Sequence, residues 1–381
     1  MKRMVFTRRT ALLALAGAPL ALRASVASAQ MTGTPYKIGL TFPLTGVFAD
    51  TASENIRAAE IAVAEINNAG GIKAHPLVLV AEDTQATPAG GIAALRKLAQ
   101  VDGVQCVLTV YTNVVTAQLP LADELKIPIL ALMEVPGVMN RSRYTFAHAP
   151  TILGVASLIR DQFKAAGYKR ISTLLVNGGY GAAASPVVKA AAQNVGASYD
   201  EAYYNPGNET DYRGLTIRVH DARPDAVFIA MLGSPAEAGL IKGLRELGVT
   251  APIYLSSNFY FQRSWRAAVG SYADDVYFCG VTILNEKSSR AFQTAWIAKM
   301  GYAPSYQPAE AYDDIKLFAY GIDKAGYNGE GIRNVIATAK GIPSALGGTI
   351  TMGEDHYSIM ATTALWKPKN GKLVRVIPGK G

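Results

Sequence analysis

Three polar side chains stand where an apolar run meets a predicted helix. Tyr111, Thr112 and Asn113 follow a strand-like run at 104–110 and precede a helical pattern at 114–125. The unpaired N–H groups at a helix start attract anions, so this turn could hold a carboxylate. Thr112 or Asn113 could instead simply cap the helix, and the two roles can coexist. We interpret the turn as a candidate anion-binding element.

Two further segments place ligand-binding chemistry after predicted strands. Met133, Glu134 and Val135 end the strand at 128–133. Glu134 could accept a ligand hydroxyl, pair with a ligand cation, or pair with a basic neighbour. Tyr180 follows the strand at 171–176, where its ring could pack on a ligand while its hydroxyl bonds. A plain core tyrosine is the competing interpretation.

The common catalytic and metal-binding motifs are missing from the sequence. No strand is followed by a G-x-G-x-x-G loop, and neither a Walker loop nor a G-x-S-x-G elbow occurs. The histidines at positions 75, 148, 220 and 356 lack the spacing of metal ligands. The sequence therefore predicts no enzyme, no metal and no cofactor.

The elements that must position these residues alternate along the chain. Strands predicted at 37–42, 77–81, 104–110 and 128–133 are separated by helices at 53–68, 88–100 and 114–125. This βα alternation is typical of a doubly wound parallel sheet.

The alternation restarts beyond residue 150. Helices are predicted at 153–166, 182–195, 212–220 and 235–247, and strands at 171–176, 198–204, 226–232, 253–256 and 275–281. The last third adds helices at 288–300, 308–325 and 331–339 and strands at 348–352, 358–366 and 372–376. Two similar series predict an α/β fold with two Rossmann-like lobes.

The first 29 residues have the pattern of an export signal. A basic start leads to an apolar run at 11–22 and to Ala27-Ser28-Ala29, which predicts cleavage there and release into the periplasm. Arg8 and Arg9 leave both ordinary and twin-arginine export open. Five of the eight net positive charges lie before Gln30, so the remaining chain gives no compositional case for nucleic-acid binding.

The sequence has two cysteines, Cys106 and Cys279, both within apolar runs. An oxidising compartment would permit a disulfide between them. Because the two runs are assigned to different lobes, we predict two buried free thiols.

Several stretches together resemble the periplasmic Leu/Ile/Val-binding proteins, the type I receptors of ABC importers. They are YKIGLTFPLTG at 36–46, AEIAVAEINNAGGI at 59–72, LVAED at 79–83, Tyr180-Gly181 and PAEAYDD at 308–314. The resemblance implies a monomer with a ligand cleft between two lobes that are joined by a three-strand hinge. It also implies a small-molecule ligand and a permease in the inner membrane. One lobe would span 34–147 plus 282–354, and the other 148–281 plus 355–381.

The chain departs from this family at the expected cleft. Ser257 and Asn258 stand where amino-acid receptors place an acid for the ligand ammonium, and Gly233 stands near an expected tyrosine. Thr51, with Phe48 close by, replaces another cleft tyrosine. The resemblance also implies that the turn at 111–113 grips a ligand carboxylate. Together with the lost ammonium partner and the aromatic residues near the cleft, this predicts a small organic carboxylate of the benzoate or hydroxycinnamate type. The alternatives are a branched-chain amino acid or amide whose ammonium meets Glu134, and an enzyme with an unrecognised site.

Overall fold

The protein is described by a computed structural model that covers residues 31–207, 211–281, 283, 287–358 and 363–377. The predicted export signal at 1–29 lies outside the described residues. None of the described helices is both long and apolar enough to cross a bilayer.

The described strands form two large sheets and a separate two-stranded sheet made of the eleventh and twelfth strands. In chain order they are β1 (Tyr36–Phe42), β2 (Leu77–Asp83), β3 (Val107–Val110), β4 (Ile129–Leu132), β5 (Thr145–Phe146), β6 (Arg170–Val176), β7 (Ser198–Tyr204), β8 (Ala226–Ala230), β9 (Ile253–Leu255), β10 (Tyr277–Gly280), β11 (Ile342–Pro343), β12 (Thr349–Ile350), β13 (Ala364–Lys369) and β14 (Lys372–Val376).

The helices cover the faces of these sheets. They are α1 (Ala49–Asn68), α2 (Pro88–Gln100), α3 (Thr112–Leu125), α4 (Ile152–Ala166), α5 (Gly179–Gln193), α6 (Arg213–Ala222), α7 (Pro235–Glu246), α8 (Arg263–Val269), α9 (Lys287–Met300), α10 (Tyr306–Ala325) and α11 (Gly329–Ala337). Short 3-10 helices occur at Met139–Arg141 and Gly270–Asp274.

The first sheet is wholly parallel, in the order β2-β1-β3-β4-β5. The second has the order β14-β13-β10-β9-β8-β6-β7, in which β6 to β10 run parallel while β13 and β14 add an antiparallel edge. Each sheet defines one lobe, so the predicted α/β fold with two doubly wound lobes is confirmed. The predicted residue bounds of the lobes stay a prediction.

Two crossovers between the lobes lie side by side. Ala147, just after β5, forms a parallel bridge with Tyr357. The third predicted crossover, near residues 282–286, falls largely outside the described residues. Since paired crossovers can twist without breaking their hydrogen bonds, they suit a hinge.

Several predicted bounds differ from the structure for local reasons. The strand predicted from residue 104 begins at Val107, because the Val104 amide bonds back to Leu98 at the end of α2. Helix α1 begins four residues before the predicted start, which places Thr51 in its first turn. The strand predicted at 358–366 begins at Ala364, and residues 359–362 lie outside the description. Helix α8 was not predicted.

Cys106 and Cys279 are both fully buried and unpaired. Burial raises the pKa of each thiol, so neither carries thiolate character at neutral pH. The prediction of two free thiols is confirmed.

Candidate functional site

A cavity lies between the two lobes, beyond the carboxyl ends of four strands. Strands β3 and β4 supply its wall from the first lobe, and β8 and β9 from the second. Its lining residues are Tyr111, Thr112, Leu132, Met133, Glu134, Tyr180, Met231, Leu232, Ser257, Phe259, Tyr306 and Gln307. Parallel sheets bind ligands at this edge because the helix starts and the strand-end loops converge there.

The cavity is narrow because the lobes are in contact. Its free volume is about 30 Å³. That volume corresponds to a few water molecules at most. The structure therefore represents a closed cleft.

Glu134 is the centre of the polar contacts in the cavity. Its two carboxylate oxygens accept hydroxyl hydrogen bonds from Tyr306 at 2.6 Å, from Tyr180 at 3.0 Å and from Ser257 at 3.1 and 3.2 Å. Burial raises the pKa of Glu134, and the three hydroxyl donors oppose that rise. None of the described residues that line the cavity is Lys, Arg or His. Glu134 thus lacks a cationic partner within the cavity wall.

The turn before α3 holds an unusual backbone conformation. Tyr111 has φ 72°, in the left-handed region that non-glycine residues rarely adopt. No described side chain caps α3, and the Asn113 side chain instead accepts the Gly179 amide at 2.8 Å. Strained backbone of this kind concentrates at functional sites. The amides that open α3 are therefore available to an anion at the cavity.

Six of the predicted site residues line the cavity: Tyr111, Thr112, Met133, Glu134, Tyr180 and Ser257. The other six lie around it. The Phe48 ring packs against the Tyr111 ring at a tilt, with centroids 4.6 Å apart, and Thr51 donates to the Gly233 carbonyl at 3.3 Å. Asn258 donates to the Val281 carbonyl, and the carbonyl of Val135 accepts the Tyr357 hydroxyl.

Six lining residues were missed by the sequence analysis. Leu132 ends β4, and Met231 and Leu232 follow the end of β8, so their position at strand ends is the signal that could have identified them. Phe259 belongs to an aromatic run that is typical of a hydrophobic core. Its ring contacts the Tyr306 ring edge to face, with centroids 5.6 Å apart. Tyr306 and Gln307 begin α10, just before the PAEAYDD stretch.

Contacts across the cleft come from both lobes. Gly179, Tyr180 and Ser257 in the second lobe bond to Asn113 and Glu134 in the first. These bonds require the closed arrangement, since hinge opening would separate their partners.

Residues 35–371 match the family model described as periplasmic binding protein. The chain belongs to the periplasmic binding protein family. Within it, the chain falls among the type I, Leu/Ile/Val-binding proteins, as the sequence resemblance predicted. These are binding components of ABC transporters and not enzymes.

Known relatives of this periplasmic binding protein cover nearly its whole length. It is 27% identical to the Leu/Ile/Val-binding protein BraC3 of Rhizobium johnstonii over 372 residues, covering 93% of this chain and 97% of BraC3. Among solved structures, the leucine-binding protein LivK of Thermotoga maritima has a TM-score of 0.81 at 19% identity, covering 90% of this chain and 98% of LivK. A Rhodopseudomonas palustris solute-binding protein in complex with benzoate has a TM-score of 0.80 at 18% identity, covering 90% and 95%.

Proposed function

We propose that this periplasmic binding protein captures an α-amino acid with an apolar side chain and presents it to an ABC permease. The observation that carries the proposal is the Glu134 carboxylate. It meets three hydroxyl donors, and the described residues of the cavity wall include no cationic side chain. An isolated buried carboxylate is costly, and a ligand ammonium would compensate it.

The rest of the cavity fits the other parts of such a ligand. The turn at Tyr111 and Thr112 offers the opening amides of α3 to a carboxylate. Met133, Met231 and Leu232 supply apolar surface for a side chain. The departure at Ser257 and Asn258 is then compensated from the first lobe, because Glu134 provides the acid that the second lobe lacks.

A second candidate is an aromatic acid of the benzoate or hydroxycinnamate type. Tyr111, Tyr180, Phe259 and Tyr306 supply aromatic surface in the cavity wall. A carboxylate beside Glu134 requires that Glu134 be protonated, which its raised pKa favours. Stability of that complex is present below the pKa of Glu134 and is lost as the pH rises through it.

Titration calorimetry on the protein without its export signal separates the two candidates. At pH 7.5 we expect leucine, isoleucine or valine to bind, and benzoate and 4-hydroxybenzoate to bind weakly or not at all. Glu134→Gln should weaken amino-acid binding by roughly 100-fold or more, because the buried ammonium loses its charged partner. The aromatic-acid candidate predicts the opposite, since Gln resembles a protonated Glu.

The exposed Glu124→Gln on α3 is the matched control and should leave every affinity unchanged. Binding of aromatic acids but not of amino acids, undiminished in Glu134→Gln, would replace the first candidate by the second. Turnover of any bound ligand would contradict both.

Our proposals on export and assembly rest on the N-terminal sequence and on the family resemblance. We propose that residues 1–29 direct export and are removed, that the chain works in the periplasm as a monomer, and that an inner-membrane permease receives its ligand. Mass spectrometry of the periplasmic protein would give the cleavage position, and a start other than Gln30 would revise it.

A further inference from the structure

A second set of contacts joins the lobes outside the cavity, between the start of α1 and the start of α8. Gln262 precedes α8, and its Nε2 atom donates to Thr51 Oγ1 on α1 at 2.7 Å. One turn later on α1, the Glu54 carboxylate accepts the backbone N–H of Arg263, the first residue of α8. We call these four residues, Thr51, Glu54, Gln262 and Arg263, the α1–α8 clasp.

The clasp exists only when the cleft is closed. Helix α1 follows β1 of the first sheet, whereas α8 lies between β9 and β10 of the second. Parting the lobes would carry Arg263 away from Glu54. The clasp is distinct from the ligand cavity, because none of its four residues lines that cavity.

Glu54 changes its surroundings when the clasp forms. In the closed cleft it is 8% exposed and accepts the Tyr302 hydroxyl at 2.9 Å. The charged and titratable groups that face it are Asp50 from its own helix, Arg263 from α8 and Tyr302 from the segment before α10. Two of these, Asp50 and Arg263, carry opposite charges.

Burial is the largest influence on the Glu54 carboxyl. Burial raises the pKa of Glu54, and the nearby Asp50 charge raises it further. The hydrogen bonds from Tyr302 and from the Arg263 amide lower it, and the resulting pKa is about 7. We expect opening of the cleft to move α8 away from the carboxyl and to return its pKa toward the ordinary value of about 4.3. Closure therefore takes up a proton between these values, and the closed form loses stability as the pH rises through 7.

We propose that Glu54 is an affinity-setting residue outside the cavity, because its inter-lobe clasp holds the cleft closed and does so more strongly in acid. The proposal rests on the proposed function only in that the cleft closes around its ligand. It assigns Glu54 a positioning role, because Glu54 acts through the approach of α8 rather than by touching the ligand.

The test compares Glu54→Gln with the natural protein at two pH values. Gln keeps the acceptor for Arg263 and Tyr302 but cannot ionise. The leucine affinity of Glu54→Gln, divided by that of the natural protein, should rise on the order of ten-fold between pH 5.5 and pH 8.0. Both proteins contain Glu134, so the pH dependence that Glu134 contributes to the affinity cancels in this ratio. Glu60→Gln is the matched control, because Glu60 lies on the same helix but pairs with Arg57 and Lys299. The affinity ratio of this variant to the natural protein should not change with pH.

Small-angle scattering of the ligand-free proteins gives a readout that does not depend on leucine. At pH 8.0 the natural protein should be more extended than at pH 5.5, whereas Glu54→Gln should stay compact at both. An affinity ratio that does not change with pH, together with identical scattering of the two proteins at pH 8.0, would overturn the proposed role of the clasp. If leucine does not bind at all, the proposed function fails, and the scattering still decides the role of Glu54.

Discussion

At the residue scale, the hydroxyls around Glu134 join the two lobes, and we expect them to influence ligand affinity. Tyr180 reaches Glu134 from the second lobe, whereas Tyr306 reaches it from the first. Each hydroxyl satisfies part of a carboxylate that would otherwise be buried without donors. We therefore expect the removal of one of these hydroxyls to weaken ligand binding even when the ligand does not contact it.

We expect Tyr180→Phe to weaken ligand binding by roughly three- to ten-fold, which corresponds to the loss of one hydrogen bond of about 0.5–1.5 kcal/mol. Calorimetry with the best ligand measures the change. Tyr203→Phe, an exposed tyrosine in the same lobe, is the control. An unchanged affinity in Tyr180→Phe would show that the Glu134 contact contributes nothing to closure.

The sequence predicts the identity of Glu134 and Tyr180 as site residues but not their contact. Each follows a strand, and the topology of parallel sheets brings strand ends together. The two residues are 46 positions apart and belong to different lobes, so their distance depends on how far the cleft closes. Tyr306 lies 172 positions beyond Glu134, and no local pattern connects the two.

At the element scale, the turn from β6 into α5 positions Tyr180. Gly181 follows it in the first turn of α5, and a Cβ atom there would lie 1.9 Å from the Val176 carbonyl oxygen. The backbone of the turn is thus packed against the strand end. Only a residue without a side chain lets α5 begin where it does.

We expect Gly181→Ala to lower the free energy of unfolding by about 1–3 kcal/mol and to weaken ligand binding, because the shifted turn displaces Tyr180. Urea unfolding and calorimetry measure the two effects. Gly214→Ala in α6 is the matched control, since none of the described heavy atoms would lie within 4 Å of its Cβ. That control should stabilise the protein by about 0.4–1 kcal/mol. Equal stability of the two variants would contradict the steric argument.

Elements with strong local signals were predicted best. Helix α2 begins at Pro88 after the capping residue Thr87, and its predicted bounds match the structure. Strands β7 and β14 also match. Helix α8 was not predicted because its seven residues are too few to show a periodic pattern. The aromatic run before it is typical of a hydrophobic core and gives no helix signal.

At the scale of the whole molecule, a buried polar network ties α10 to the crossovers between the lobes. Asp313 accepts the Ser344 hydroxyl at 2.7 Å and the Ala345 amide at 2.9 Å, and it lies 3.3 Å from His148 Nε2. His148 in turn contacts the Ser358 hydroxyl at 2.6 Å on the neighbouring crossover. The network fixes where the paired crossovers start.

We expect Asp313→Ala to lower the free energy of unfolding by about 2–4 kcal/mol, because it leaves His148, Ser344 and the Ala345 amide without their buried acceptor. Asp323→Ala, at an exposed position on the same helix, should cost well under 1 kcal/mol. Urea unfolding of both variants gives the comparison. A loss of the same size in both would mean that the network adds no stability.

The narrowness of the cavity has a kinetic consequence. A molecule held in a cavity with a free volume of about 30 Å³ is packed against both lobes and has little room to move while they stay closed. Release must then wait for the lobes to part, so chemically different occupants share the same slow step. The lifetime of the complex is accordingly set by the frequency of opening, and variants that loosen inter-lobe contacts shorten it without altering how fast a molecule enters.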